Sequence, residues 1–182
     1  MKKYIFILLA ALTFVACNND EEINGYKDIQ PIKESEIPLE IVEFFNIQEN
    51  YVINYHLSYF EFTSPCYIIN NQKELKNIYW GSKDLPQIDF SKYSLIMGVT
   101  RFPDGRYYIG GKKIKESDNN LMVDITIKKG DCGIASICWA FFWGLYPKST
   151  SKSLNVNLIN EDGTPFVFPQ TSFDTLMKVP FE

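Results

Sequence analysis

The hydrophobic pattern divides the chain into an apolar leader, a polar segment and a longer region dominated by strand-like alternation. Apolar and polar residues alternate over 51–59 and 121–127, as in strands with one buried face. Residues 134–146 are apolar on both faces, which predicts a central strand covered by a helix on one side. Shorter apolar runs predict further strands at 66–69, 94–100, 106–109, 112–115, 154–159 and 165–168.

Two short helices are predicted between these strands. The first begins at Pro38, a residue suited to a first helical position, and repeats apolar residues at three-residue spacing from Leu39 to Phe45. In the second, Asn71 caps the N-terminus and Glu74 reaches back to the backbone amide of Asn71. Its buried stripe consists of Leu75, Ile78 and Tyr79, and Gly81 is its C-terminal stop signal.

Turn signals separate the later strands and set the predicted fold class. They lie at 103–105, 118–120 and 160–163, while Gly110 and Gly111 indicate a turn or a bulge. We therefore expect an α+β fold that is mostly β. It is an antiparallel sheet, a meander of about six to eight strands, with one or two short helices packed on it.

The leader resembles the signal peptide of a bacterial lipoprotein. Lys2 and Lys3 precede an apolar stretch that is too short to span a bilayer. The sequence Phe14-Val15-Ala16-Cys17 is similar to a lipobox, with Phe14 where Leu is usual. The resemblance implies that residues 1–16 are cleaved and that Cys17 is lipidated. The alternatives are an ordinary secretory signal and an uncleaved anchor.

The residues after Cys17 form an acidic cluster, and they are Asn18, Asn19, Asp20, Glu21 and Glu22. Such a cluster resembles the surface-export signal of lipoproteins in Bacteroidetes-type envelopes, and the alternative is a solvated spacer. We expect a lipid-anchored outer-membrane protein at the cell surface, or else on the periplasmic face. The expected organisation is a signal peptide at 1–16, a lipidated cysteine with a flexible acidic tether at 17–34, and one globular domain at 35–182.

Charge excludes one class of partner. Cleavage before Cys17 leaves 166 of the 182 residues, with 16 basic and 22 acidic side chains and a net charge of −6. Nucleic acid requires a basic surface, so no nucleic-acid partner is expected. The membrane is reached through the lipid on Cys17 alone.

Three cysteines remain in the mature chain, Cys66, Cys132 and Cys138. In an oxidising compartment one disulfide and one free thiol is the simplest arrangement. Cys132 and Cys138 pair only if a turn brings them together, and Cys66 paired with either is an equal alternative. No metal or other cofactor is expected, because the chain supplies only His56 as a further soft ligand.

No catalytic constellation is evident in the sequence. His56 falls on the polar side of its predicted strand without a predictable partner, and Asp89 precedes an aromatic residue and a serine, which is typical of a turn cap. A small hydrolase that uses a free cysteine or paired carboxylates is the least favoured hypothesis. We do not expect an enzyme.

Two stretches, 67–75 and 88–96, carry a further resemblance. With the later strands they resemble small bacterial lipoproteins, and also the C-terminal domain of accessory lipoprotein subunits of surface protease complexes. The resemblance covers 66–159 and implies a non-enzymatic partner of another envelope protein, with no site residues carried over.

The favoured function is therefore an envelope-anchored, protein-binding or accessory module. Its candidate contact residues are Trp80, Trp139 and Trp143, because large aromatic side chains are typical of binding surfaces. The same residues serve the alternative function, a glycan-binding surface lipoprotein, since tryptophan stacks on sugar faces.

Overall fold

Strand β3 (Tyr93–Phe102) forms the centre of a three-stranded antiparallel sheet and is buried along nearly its whole length. It lies between β2 (Cys66–Ile69) and β6 (Cys138–Pro147). The architecture comes from a computed structural model, which describes residues 25–47, 66–79, 81–131, 133, 138–151 and 153–167.

A second sheet has four strands in the order β1, β4, β5, β7. These strands are β1 (Lys27–Ile29), β4 (Tyr107–Glu116), β5 (Asn120–Lys129) and β7 (Ser153–Ile159). The pairs β1–β4 and β4–β5 are antiparallel, whereas β5 and β7 run parallel.

The elements form three layers around two apolar cores. Helices α1 (Leu39–Asn46) and α2 (Gln72–Ile78) cover one face of the three-stranded sheet, and the four-stranded sheet covers the other. Successive residues of β3 divide between the cores, with Leu95 and Met97 towards the helices and Ile96 towards the second sheet. A strand buried on both faces is apolar at consecutive positions, which explains the sequence of β3.

The predicted fold class is confirmed, since the protein is mostly β with two helices and antiparallel-rich sheets. Both predicted helices are present, and the strand predicted at 66–69 is β2. Gly110 is a β-bulge, because the register between β4 and β5 shifts there. The strand predicted at 51–59 and residues 134–137 and 168 lie outside the described residues.

The single meander is wrong in its connections. The turn at 103–105 carries the chain from β3 in one sheet to β4 in the other, so it is a corner between sheets and not a hairpin. β6 is covered on both faces, as expected, but among the described strands it pairs with β3 alone, and β3 holds the central position. The chain leaves the second sheet after β5, forms β6 in the three-stranded sheet, and returns to the second sheet as β7, which therefore lies parallel to β5.

The folded part begins earlier than the predicted boundary at residue 35. Strand β1 pairs with the end of β4, with Asp28 opposite Lys115, and the Asn120 amide donates to the Tyr26 hydroxyl at 2.8 Å. The segment from Lys27 onward is therefore part of the sheet and not of a tether. Residues 1–24, which include the predicted signal peptide, Cys17 and the acidic cluster, lie outside the description. Within the described ranges, no helix has the length and apolarity needed to cross a membrane.

The serine-rich segment between β6 and β7 is fixed by a buried polar network. The hydroxyls of Ser149 and Ser151 both donate to one carboxylate oxygen of Glu116, the last residue of β4. The Ser149 backbone N–H in turn donates to the Ser94 hydroxyl at 2.9 Å. Sequence alone indicated only a polar loop here, but the loop is a buried link between the two sheets.

Candidate functional site

A groove with a volume of about 1040 Å³ runs beside β6. We call it the β6 groove and define it by the residues that line it. They are 139–145 on β6, 109–112 on β4, the segment 30–34 with Ile37, and Phe45 with Asn46 on α1. Elements from all three layers therefore meet at this one surface feature.

Trp143 joins β6 to the C-terminal end of α1. Its ring lies 5.2 Å from the ring of Phe45, centroid to centroid, and its indole N–H donates to the Asn46 side-chain oxygen at 3.0 Å. The side chain is half-buried. The wall of the groove is thus a large aromatic ring held in a defined orientation by one apolar and one polar contact.

Trp139 extends the same wall. It lies four residues before Trp143 on one strand, so both side chains project from the same face of β6. The Arg101 guanidinium carbon lies 6.0 Å from the Trp139 ring centroid, the outer limit of a cation–π contact. Trp139 is also half-buried, and both rings face the groove over a length of about 13 Å.

The part of the groove that β4 lines contains a lysine that points towards the core between the sheets. Gly110 is the extra residue of the β4 bulge, and beyond it Lys112 occupies the same face as buried Ile114. Lys113 projects from the other face and is exposed. A bulge redirects the side chains that follow it, and this one turns a lysine into the groove.

The Lys112 ammonium is largely desolvated. It donates a hydrogen bond to the main-chain carbonyl of Trp143. Burial lowers the pKa of Lys112 below its usual value, while the carboxylate of Glu34 and the Cys66 side chain act in the opposite direction and offset part of that effect. The groove therefore combines an aromatic wall with a cationic group of reduced hydration.

One end of the groove is closed by the segment that follows β1. The Ile32 N–H donates to the Leu145 carbonyl at 2.8 Å, so this segment runs along the outer edge of β6. Two carbonyls on that edge therefore accept hydrogen bonds: that of Trp143 from the Lys112 side chain, and that of Leu145 from the Ile32 backbone amide. These bonds position the apolar side chains of Ile32 and Ile37 beside the groove.

The structure brings together two of the three predicted contact residues, Trp139 and Trp143. Trp80 lies outside the described residues, as does His56. The structure thus places the predicted tryptophans of β6 in one groove, and that any of the three tryptophans contacts a partner stays a prediction.

Cys66 is half-buried and carries a free thiol that packs against the core between the sheets, and desolvation there raises its pKa from the usual 9.0 to about 12. Cys66 lies opposite Gly98 and Cys138 lies opposite Phe102, on the two sides of β3. Four residues along a strand span about 13 Å, well beyond the reach of about 7 Å that a disulfide allows between Cα atoms. Cys132 lies outside the described residues, so its pairing with Cys138 stays a prediction.

Asp89 is a turn residue. Its carboxylate accepts hydrogen bonds from the backbone N–H and the hydroxyl of Ser91 and forms an ion pair with Lys92 at 3.1 Å. These bonds hold the pKa of Asp89 below its usual value, and the hydrogen bond from the Ser91 hydroxyl has the largest effect. An ionised carboxylate cannot donate a proton, so this geometry fits the predicted cap and not a general acid.

Within the described part of the chain, no group of three or more histidine, cysteine or acidic side chains could hold a metal ion. The residues that line the groove are mostly aromatic, aliphatic and cationic, and Glu34 is the one acidic side chain among them, which is a poor set of metal ligands.

Lys112 is the groove residue that sequence analysis missed. Its spacing of two from Ile114 already indicated a shared face, because side chains alternate along a strand. The run of lysines around it favoured an exposed strand, and its long-range contact with Trp143 cannot be inferred from local pattern.

No protein-family model, no curated protein and no solved structure matches this chain.

Proposed function

We propose that the protein is an envelope-anchored, non-enzymatic accessory module that binds a segment of another envelope protein in the β6 groove. The observation that carries the proposal is the pair of half-buried tryptophans, Trp139 and Trp143, on one wall of a groove of about 1040 Å³. Tryptophan is among the residues that contribute most to protein–protein binding, above all where a pocket excludes water around it.

The dimensions of the groove favour an extended segment as its occupant. From Trp139 to Leu145 the lining follows β6 for six residue steps, about 20 Å. Its volume stands at the upper limit of small-molecule pockets, which range from about 300 to 1,000 Å³. An extended chain of about six residues has a matching length at 3.3 Å per residue.

The anchor adds a geometric constraint to the proposal. Ten residue steps separate Cys17 from Lys27, the first residue of β1. A fully extended chain of that length spans at most about 36 Å. If Cys17 is lipidated, the groove is held close to the outer membrane, where the partner would be another envelope protein.

A glycan is the second candidate ligand. The supporting observation is the position of Asn46, whose side chain lies beside Trp143 at the groove. Aromatic rings stack on sugar faces and amides bond to hydroxyl groups, so this pair has the chemistry that a glycan requires. Both candidates use the same wall, and capture experiments separate them.

The proposal is tested by crosslinking and affinity capture of the full-length lipoprotein from intact native cells. Wild type should recover one envelope protein in stoichiometric amount, and Trp139→Ala and Trp143→Phe should recover much less. Tyr108→Ala is the matched control, because Tyr108 is an exposed aromatic residue outside the groove, 50% accessible. Equal recovery by all variants, or no recovery by wild type, would contradict the proposal, and retention on immobilised polysaccharide would favour the glycan.

A further inference from the structure

Lys112 is an unusual residue to find on the inner face of a sheet. It shares that face with Ile114, which is 3% exposed, and pairs with Ile125, which is fully buried. A methionine in this place would have similar length without the cost of desolvating a charge. The bulge at Gly110 directs the Lys112 ammonium into the groove, where a ligand of opposite charge would stabilise it.

The charge of Lys112 is only partly compensated. An ammonium has three N–H donors, and the acceptor that the structure provides is the Trp143 carbonyl. Within the described residues, none of the ion pairs within 4.0 Å includes Lys112. The carboxylate of Glu34 attracts the Lys112 ammonium electrostatically, but the Glu34 side chain is exposed at the mouth of the groove. Among the described residues, two of its donors therefore have no acceptor.

The surroundings of the ammonium define what else the ligand must carry. Ile109 lines the groove beside it on the side of the inter-sheet core, while Ile32, Ile37 and Trp143 line it on the helix side of β6. A charged group that enters such apolar surroundings is stabilised only if it meets an opposite charge with hydrogen bonds. A carboxylate flanked by apolar side chains satisfies both requirements.

We propose that the β6 groove recognises an extended apolar peptide segment that carries one aspartate or glutamate, with Lys112 as the residue that binds its carboxylate. The inference rests on the proposed function and adds the chemistry of the partner. Lys112 here determines specificity, because a segment without the carboxylate leaves the ammonium unpaired in the groove.

The test is selection of a random heptapeptide display library on the full-length protein in detergent micelles. Peptides enriched on wild type should combine one Asp or Glu with apolar neighbours. The strongest of them, made synthetically, should bind Lys112→Met at least about tenfold more weakly, as should its own Asp→Asn or Glu→Gln analogue on wild type. Lys113→Met is the matched control, because Lys113 is an exposed neighbour on the other face of β4, and it should bind as wild type does.

Each other result overturns the inference in a distinguishable way. Peptides that lose binding to Trp139→Ala but carry no carboxylate would leave the proposed function standing and assign Lys112 to stability alone. Enrichment of no peptide would contradict both proposals. Self-association that Trp139→Ala abolishes would make a second copy of the chain the occupant. The peptide analogue keeps the test valid even if Lys112→Met fails to fold.

Discussion

Lys112 on β4 donates a hydrogen bond to the main-chain carbonyl of Trp143 on β6, and this single contact links the two sheets beside the groove. The contact depends on the bulge at Gly110, which places the lysine on the inner face of its sheet. The cation of the site is thereby held at the strand that carries both groove tryptophans.

The corner between the two sheets leaves no room for a side chain at Gly133. A Cβ atom there would lie 2.5 Å from the Arg106 backbone nitrogen and 2.5 Å from the Gly105 carbonyl carbon. Backbone cannot move aside as a flexible side chain can, so Gly133→Ala should lower the free energy of unfolding by roughly 1–3 kcal/mol. Urea denaturation followed by circular dichroism measures the change.

Gly130→Ala is the control for that substitution. Its added Cβ would meet the Arg106 carbonyl oxygen at 3.7 Å, an ordinary contact. We expect a loss below about 1 kcal/mol, since no strong clash arises. Equal effects of the two substitutions would mean that the close approach at Gly133 is not a constraint on the fold.

The carboxylate of Glu116 should contribute to stability through the serines of the β6–β7 connection. Glu116→Ala removes the acceptor of the Ser149 and Ser151 hydroxyls, and Ser149 is only 2% exposed. A buried hydroxyl left without a partner costs about 1–3 kcal/mol, so thermal or urea denaturation should show a loss in that range.

Glu116→Gln keeps an acceptor oxygen and serves as the conservative comparison. Its loss should stay below about 1.5 kcal/mol, because the hydroxyl groups retain a neutral partner. A glutamine variant as unstable as the alanine variant would show that the charge matters and not the acceptor geometry.

The sequence of four consecutive residues predicts the Asn71 cap of α2, which is present, whereas Glu74 bonds the backbone amide of Asn70 and not that of Asn71. The Asn71 side-chain oxygen accepts from the Glu74 N–H at 2.9 Å, and the Glu74 carboxylate reaches back to the Asn70 N–H at 2.7 Å. Asn71→Ala should lower the free energy of unfolding by about 1 kcal/mol. Lys73→Ala, at an exposed position of the same helix, should change it by less than about 0.5 kcal/mol. Similar losses in both variants would argue against the cap.

The buried thiol of Cys66 should make the protein sensitive to alkali. Its folded-state pKa is about 12, above the unfolded value of 9.0. From pH 9 upward the unfolded thiol loses its proton while the folded one keeps it. The folded state then binds more protons, so its stability is full below pH 9 and falls above it by up to about 1.4 kcal/mol per pH unit.

Cys66→Ala removes this dependence. Urea denaturation of wild type and variant at pH 7, 9 and 10.5 should give a wild-type loss that exceeds the variant's over the last interval. Burial also raises the pKa values of Tyr67 and Tyr146, and this contribution of burial is common to both proteins, whereas the smaller effect of the Cys66 side chain on the two tyrosines is lost together with the thiol. Parallel curves for the two proteins would show that the thiol is not desolvated.

Local chemistry was predictable from the sequence, whereas the arrangement of the sheets was not. Asn71 and Glu74 interact within four residues, and the shared face of Trp139 and Trp143 follows from alternation along one strand. The local sequence at 103–105 predicts a turn but does not distinguish a hairpin from a corner between two sheets. Which of the two forms depends on the need to cover both faces of β3 and β6.

The candidate site was predictable only in its aromatic part. Lys112 contacts Trp143 across 31 residues of sequence, and the segment at Ile32 reaches the same strand from before α1. Such contacts arise from the packing of layers, and a short stretch of sequence carries no information about that packing. The bulge at Gly110 was foreseen as an irregularity, but the lysine that it redirects was not.

The most direct test of the central claim is photo-crosslinking from the groove in intact native cells. A photoreactive phenylalanine derivative at position 139, in the full-length lipoprotein, should crosslink to one envelope protein. The same derivative at position 108, an exposed aromatic position outside the groove, should not. Crosslinks of equal yield from both positions, or from position 108 alone, would contradict the account of the β6 groove as a protein-binding site.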